Sequence, residues 1–339
     1  MNHKQIKIVS AALLLFFAAC GLILSLRQKQ TESISRSDFL LNTFVTVTLY
    51  DSDNSEILDQ CMALVKEYEN RLSKTITTSE ISKMNHRTPE EKSFVLSKDV
   101  ANLIQTGLHY SSLSDGAFDI TVEPLSSLWD FTSGSAIIPN TADITAAVSR
   151  TDWQKLSLKG DTLTFLSPDT TIDLGAIAKG FIADRLKEYL IGSGVKSAII
   201  NLGGNVLCVG AKPDGTPFRI GLQKPFATHS ETIADLNIRD MSVVSSGAYE
   251  RHFEINGKNY HHILNPKTGY PYDNGLVAVT IVSDRSVDGD ALSTTCFSLG
   301  LEKGRALLNS MEGVYGYFIT EDYEIHYTEG AEQLISNQQ

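Results

Sequence analysis

The sequence predicts an α+β fold with a largely antiparallel sheet. Residues 44–50 alternate strictly between apolar and polar side chains, the pattern of a half-buried strand. Residues 55–72 instead carry apolar side chains at helical spacing, with Ile57, Cys61, Leu64, Val65 and Tyr68 forming one stripe. Beyond Asp161 the chain breaks into short apolar runs, and Asn256-Gly257 lies between two alternating arms, a strong hairpin signal. Helices and hairpins mixed in this way belong to α+β architecture.

At the N-terminus, Lys4 and Lys7 precede an apolar run from Ile8 to Leu26, the layout of a targeting leader. Phe17-Ala18-Ala19-Cys20 resembles a lipobox, with cleavage before Cys20 and lipid on its thiol. The alternative is an uncleaved anchor, since the 19 residues make a helix of roughly 28 Å, about one hydrocarbon core. Either way, the body is tethered to the extracytoplasmic face of the cell membrane. Residues 1–29 are thus read as signal peptide or membrane anchor and 30–37 as a polar linker. Residues 38–329 form the folded domain, and 330–339 a C-terminal tail.

Within the domain, Asp53 or Asn54 caps the helix at 55–72, and a second helix spans 98–113, with a polar loop at 74–92 between them. Strands are expected at 163–166 and 171–174, then a helix from Gly175 to about Ile191. Strands at 198–202 and 205–209 flank Gly203-Gly204, and more follow at 218–222, 241–245 and 276–282. Helices at about 290–299 and 302–310 precede a last hairpin, 314–319 with 324–327. The sequence shows no internal repeat.

Of 339 residues, 42% are hydrophobic and 20% charged, which fits a packed globule. Lys plus Arg number 29 against 40 Asp plus Glu, for a net charge of −11. The first 29 residues hold four of the cations and no acid, so the body is more acidic than the whole. Such a body repels nucleic-acid backbones, and an anionic ligand needs a local cation. Cys20, Cys61, Cys208 and Cys296 are far apart in sequence, which excludes a CxxC or zinc pattern. The last three lie in apolar contexts and read as buried thiols.

Four segments carry polar residues and glycines inside apolar runs. Asp173 to Gly180 fits a phosphate cradle at a helix start, with Lys179 as its cation, or a plain turn with packing glycines. Gly203-Gly204 fits a strand bulge or a close approach of ligand. His261 and His262 are adjacent on a strand and point to opposite faces, so they cannot easily share one metal. His262 fits an acid, a base, a hydrogen-bond donor or a structural histidine. Asp290 and Thr294 are one helical turn apart, a hard-oxygen pair suited to Mg²⁺ or an acidic cap with a solvated Thr.

Taken in order, these segments resemble the ApbE family of bacterial flavin transferases. The likeness also includes residues 114–125 (SDGAFDITVEPL), Leu128-Trp129-Asp130-Phe131, Ser246-Gly247 and the 261–271 segment. It covers nearly all of residues 38–325. The resemblance implies two entwined αβ subdomains with an FAD cleft between them. It implies an enzyme that uses FAD and Mg²⁺ to move FMN onto a Ser or Thr hydroxyl, releasing AMP. The acceptor would be a separate flavoprotein with a Ser/Thr-Gly-Ala-Ser/Thr type site.

By position, Asp290 and Thr294 match Mg²⁺ side-chain ligands, and Ala176 a backbone-carbonyl ligand. Leu41, Thr75, Trp129, Asp130, Phe131, Asp173, Lys179 and Ile263 match flavin-binding positions. His262 matches a histidine near the phosphate chemistry and, with Asp290, forms the expected catalytic pair. Two stretches depart from the family pattern: Leu41-Asn42-Thr43 stands for Met-Gly-Thr, and Ser73-Lys74-Thr75 for Ser-Thr-Tyr. Thr75 leaves more room for water, so the alternatives are an FAD pyrophosphatase yielding FMN and AMP, or a tethered FAD carrier.

Overall fold

The computed structural model describes residues 32–131, 134, 136–228 and 231–338. The apolar leader, with Cys20 and both anchoring alternatives, lies outside the described residues. Among the described residues, no helix is long and apolar enough to cross a membrane.

The chain opens with a hairpin of β1 (Ile34–Leu40) and β2 (Thr43–Leu49). Helix α1 (Ser55–Leu72) follows, its start capped by the Asn54 side chain, which accepts the Glu56 N–H. Next come α2 (Glu80–Asn85), β3 (Ser93–Val95), α3 (Lys98–Leu113), α4 (Glu123–Trp129) and α5 (Thr141–Arg150). Strands β4 (Leu156–Lys159) and β5 (Thr162–Phe165) join β3 in a small sheet ordered β3-β5-β4. Helix α6 (Ala178–Gly192) leads to β6 (Ser197–Leu202), β7 (Asn205–Gly210), β8 (Phe218–Gln223), β9 (Thr232–Ile238) and β10 (Ser242–Gly247). Strands β11 (His252–Ile255) and β12 (Lys258–His261) turn through Asn256 and Gly257, both at positive φ. The chain ends with β13 (Leu276–Ser283), α7 (Ser286–Leu299), α8 (Leu301–Asn309), β14 (Tyr315–Thr320), β15 (Ile325–Tyr327) and β16 (Ile335–Gln338).

Eight strands, ordered β1-β2-β6-β7-β10-β13-β14-β15, form one antiparallel sheet. One face packs on α1, α3, α6 and α7 through residues such as Val47, Val65, Ile104, Ile182, Ile281 and Leu292. The other face is covered by the β16-β9-β8 sheet through Phe218, Leu236, Val243, Val282 and Tyr317. All eight residues of β13 are buried, because Val279 and Ile281 face the helices while Ala278 and Val282 face the small sheet. Burial on both faces is why 276–282 reads as a continuous apolar run. A third cluster, with Leu125, Trp129, Ile144 and Leu264, joins α4 and α5 to the segment after β12. The α+β architecture and both hairpins match the sequence reading.

Several expectations need correction. From Ile34 onward the stretch expected to be a polar linker is part of the fold, since β1 begins there and pairs along its length with β2. It is a largely exposed edge strand, so its side chains carry no burial pattern. The C-terminal tail is also built in: Ala331 is fully buried, Tyr317 donates its hydroxyl to the Ala331 carbonyl at 2.6 Å, and β16 pairs with β9. Residues 171–174 form no strand; Ile172 bonds through its backbone to the Asn85 side chain at both N–H and C=O, each 2.8 Å. Helix α6 starts at Ala178, not Gly175, because the Ile177 and Ala178 N–H groups both turn back to the Leu174 carbonyl. The polar loop at 74–92 contains α2, whose Ser79 hydroxyl accepts the Ser82 N–H at 2.8 Å.

Candidate active site

Several turns converge at one end of the large sheet. Gly203 sits at φ 63° and a Cβ there would run into Thr43, so the β6–β7 turn seats directly on the β1–β2 turn. Leu41, at φ 56°, donates its N–H to the Glu69 carboxylate at 2.8 Å, which ties that turn to the end of α1. Asn42 is also left-handed at φ 56°, a conformation Asn tolerates where the family pattern has Gly. Tyr68 of α1 meets Phe181 in the first turn of α6 edge to face, with centroids 5.6 Å apart.

Helices α6 and α7 cross at Gly180, where a Cβ would overlap the Ser286 carbonyl. That approach lets the two helices exchange caps. The Gly180 N–H, one of the donors left open at the start of α6, goes to Asp290 Oδ2 at 2.7 Å. Asp184 of α6 in turn accepts the Ser286 and Val287 N–H groups at the start of α7, at 2.8 and 3.0 Å. Burial pushes Asp290 up to about 6, against the pull of Lys179, the Gly180 N–H and Asn205. Thr294 lies one turn along α7, with Oγ1 3.1 Å from Ser246 Oγ. The Ala176 carbonyl, just before α6, accepts no hydrogen bond among the described residues. A carboxylate, a hydroxyl and a bare carbonyl are a donor set that suits a hard cation.

Lys179, on the first turn of α6, ends in no hydrogen bond or ion pair among the described residues, and its field reaches Asp290, Glu250 and His262. His262 follows β12, and its N–H donates to the Arg251 carbonyl at 3.1 Å. Its ring Nδ1 is buried without a partner. Burial, then the charge of Arg251, His261 and Lys179, pushes His262 down to about 3, so it is neutral at physiological pH. His261 points the other way, as alternation requires: its Nε2 donates to the Tyr272 carbonyl at 2.9 Å, and its Nδ1 accepts the Ile263 N–H at 3.3 Å. Glu250 is open to solvent as a residue, yet desolvation of its carboxylate raises it above its ordinary value, against Lys179 and Arg251.

Asp173 is fully engaged. Its Oδ1 accepts the Gly175 N–H at 2.8 Å, and its Oδ2 takes Ser126 Oγ at 2.7 Å and Lys74 Nζ at 3.0 Å. Burial opposes the charge, but Lys74, Ser126 and Gly175 together hold the carboxyl below its usual range. Lys74 also donates to Ser126 and Ser127 at 2.6 and 3.2 Å, so the 73–79 loop is fastened to α4. Thr75 is exposed beside it. At the far end of α4, Asp130 takes a left-handed φ of 42°. Trp129 is only 2% exposed; it stacks on Phe131 and Tyr260 and donates its indole N–H to the Gly269 carbonyl at 2.7 Å. Its side chain therefore supports the turn from behind, and leaves Asp130 exposed and Phe131 half-buried beside it. Ile263 is buried in the helix-side core.

The structure thus couples Lys179 to both His262 and Asp290, sets Thr294 one helical turn from Asp290 and Ala176 just ahead of the α6 turn that caps Asp290, and ties Asp173 to the Thr75 loop. Sequence reasoning missed Lys74, Arg251, Glu250 and Ser293. Lys74 meets Ser126 across 52 positions, and no local pattern signals that contact.

A cation without a partner among the described residues, beside oxygen donors and a neutral imidazole, suits work on phosphate esters. The sequence model of the ApbE family matches residues 41–318, and the chain belongs to that family. The FAD:protein FMN transferase of Klebsiella pneumoniae (strain 342) is 40% identical over 293 residues, covering 86% of this chain and 90% of the relative. The FAD:protein FMN transferase of Treponema pallidum (strain Nichols) is 30% identical over 330 residues, covering 92% and 91%. The solved ApbE protein of Thermotoga maritima has a TM-score of 0.82 at 28% identity, covering 90% of this chain and 100% of that one. The flavin transferase ApbE from Vibrio cholerae has a TM-score of 0.80 at 25% identity, covering 89% and 99%.

Proposed function

We propose that this chain is an FAD:protein FMN transferase, which moves FMN from FAD to a Ser or Thr hydroxyl of a separate flavoprotein and releases AMP. The observation that carries the reading is the α6–α7 junction, where the Gly180 N–H holds Asp290 and the charge of Lys179 reaches it, within a chain of the ApbE family. Asp290, Thr294 and Ala176 would hold Mg²⁺. The ion would neutralise charge on the phosphate oxygens.

The chain's own residues supply the rest. Lys179 attracts the diphosphate in an otherwise acidic protein. His262, kept neutral chiefly by burial and then by its cationic neighbours, accepts the proton of the attacking hydroxyl. AMP departs as a phosphate monoester and needs little acid assistance. Asp130 and Phe131 meet the flavin, and the Lys74–Asp173 pair orders the loop beside it. The acceptor carries a Ser/Thr-Gly-Ala-Ser/Thr type site. The leader holds the enzyme at the extracytoplasmic face of the membrane, through lipid on Cys20 or an uncleaved helix.

Replacement of Asp290 by Ala should abolish flavin transfer, and so should chelation of Mg²⁺. Wild-type turnover in Asp290→Ala with Mg²⁺ present would refute the site. The exposure of Thr75 favours a second activity, hydrolysis of FAD to FMN and AMP, when no acceptor is bound. Thr75→Tyr should then lower FMN release without acceptor while transfer persists.

A further inference from the structure

The hydroxyls around Thr294 form a chain whose proton direction is fixed at one end. Ser293 donates its single proton to the Asp290 carbonyl, three residues back in α7, at 2.9 Å. Its oxygen must therefore accept in the 2.8 Å contact with Ser246 Oγ. Ser246 has then given its own proton and can only accept in its 3.1 Å contact with Thr294 Oγ1. The order runs from Thr294 to Ser246 to Ser293 to the Asp290 carbonyl, because each hydroxyl owns one proton. Ser246 and Ser293 are 8% and 0% exposed, so bulk water does not readily reset the order.

The consequence falls on Thr294. Its proton points at Ser246, and its remaining lone pair points elsewhere. A cation is approached through a lone pair and repelled by a proton. We propose that Ser246 on β10 and Ser293 on α7 are positioning residues that fix Thr294 as an acceptor toward Mg²⁺. They act through Thr294 and do not touch the ion. The proposal rests on the Mg²⁺-dependent reading above, and it fits the general rule that groups behind a metal ligand set its orientation and affinity. The same two serines also pin β10 to α7, so the test must separate positioning from packing.

The probe is Mn²⁺, titrated into the full-length, FAD-loaded protein while the electron paramagnetic resonance signal of free Mn²⁺ is followed. Ser246→Ala and Ser293→Ala should each weaken Mn²⁺ binding about tenfold or more. Thr294→Ala should weaken it at least as much, and adding Ser246→Ala to Thr294→Ala should cost nothing further. Thermal midpoints of the same variants report packing, and either serine variant serves if the other fails to fold. Wild-type Mn²⁺ affinity in a folded serine variant would overturn the proposal, as would a full additional loss in the double variant. Absence of Mn²⁺ binding by the wild-type protein would overturn the metal reading itself, a distinct result.

Discussion

Replacing Gly180 by Ala should damage both stability and activity through one methyl group. The Cβ would overlap the Ser286 carbonyl and the Val287 backbone, which are main-chain atoms that cannot swing aside. Overpacking of this kind costs about 1–3 kcal/mol. Forcing α6 from α7 also strips the Gly180 N–H from the buried Asp290 carboxylate, and a hydrogen bond to a charged group is worth about 1.5–3 kcal/mol. The combined loss is about 2.5–6 kcal/mol, a large share of the roughly 5–15 kcal/mol that holds a domain folded. Gly192, the last residue of the same helix, is the control. Nothing lies within 4 Å of a Cβ there and its φ is not positive. Gly192→Ala should therefore stabilise by about 0.4–1 kcal/mol. Urea unfolding followed by tryptophan fluorescence measures both variants, and flavin transfer is assayed alongside. A Gly180→Ala protein within about 0.5 kcal/mol of wild type and fully active would refute the cap exchange.

Other expectations are as direct. His262 titrates near 3 in the folded protein against 6.5 ordinarily, so the unfolded chain takes the proton first as pH falls. Its contribution is complete above about 6.5 and is lost as pH drops toward about 3, while the raised Asp290 works in the opposite sense in both proteins; between about pH 7 and pH 5 the stability of wild type relative to His262→Gln, read from urea midpoints, should therefore fall. An unchanged difference would contradict the assignment. Lys74→Met removes the cation from Asp173 and should cost about 1–3 kcal/mol, with weaker FAD binding by fluorescence titration. Equal FAD affinity would show that the loop is held otherwise. Cys61 and Cys208 are both pushed up to about 12 by burial, and Cys296 is raised further, so these three thiols should resist iodoacetamide at neutral pH until the protein is unfolded.

Much of the framework was legible in the sequence where one local rule dominated. The stripe of α1 and a cap at Asp53 or Asn54 set its bounds, and Asn256-Gly257 marked the hairpin beside His262. Alternation foretold that His261 and His262 would diverge. What escaped depends on long-range geometry. The edge strand β1 shows no burial period because its side chains stay largely exposed while its backbone pairs with β2. Helix α7 is buried almost all round and small-sided, so its start, its exchange of caps with α6 and its Ser293 link left no periodic mark. The Lys74 fastening to Asp173 and Ser126 joins three segments that no spacing rule connects.

The central claim is that this chain transfers FMN to another protein. The most direct measurement is the intact mass of a candidate acceptor domain, bearing a Ser/Thr-Gly-Ala-Ser/Thr site, after incubation with this protein, FAD and Mg²⁺. A gain of one FMN phosphoester, absent when Asp290→Ala replaces the wild type, is the predicted result. An unmodified acceptor in a mixture where free FMN and AMP accumulate would contradict it and leave FAD hydrolysis as the activity.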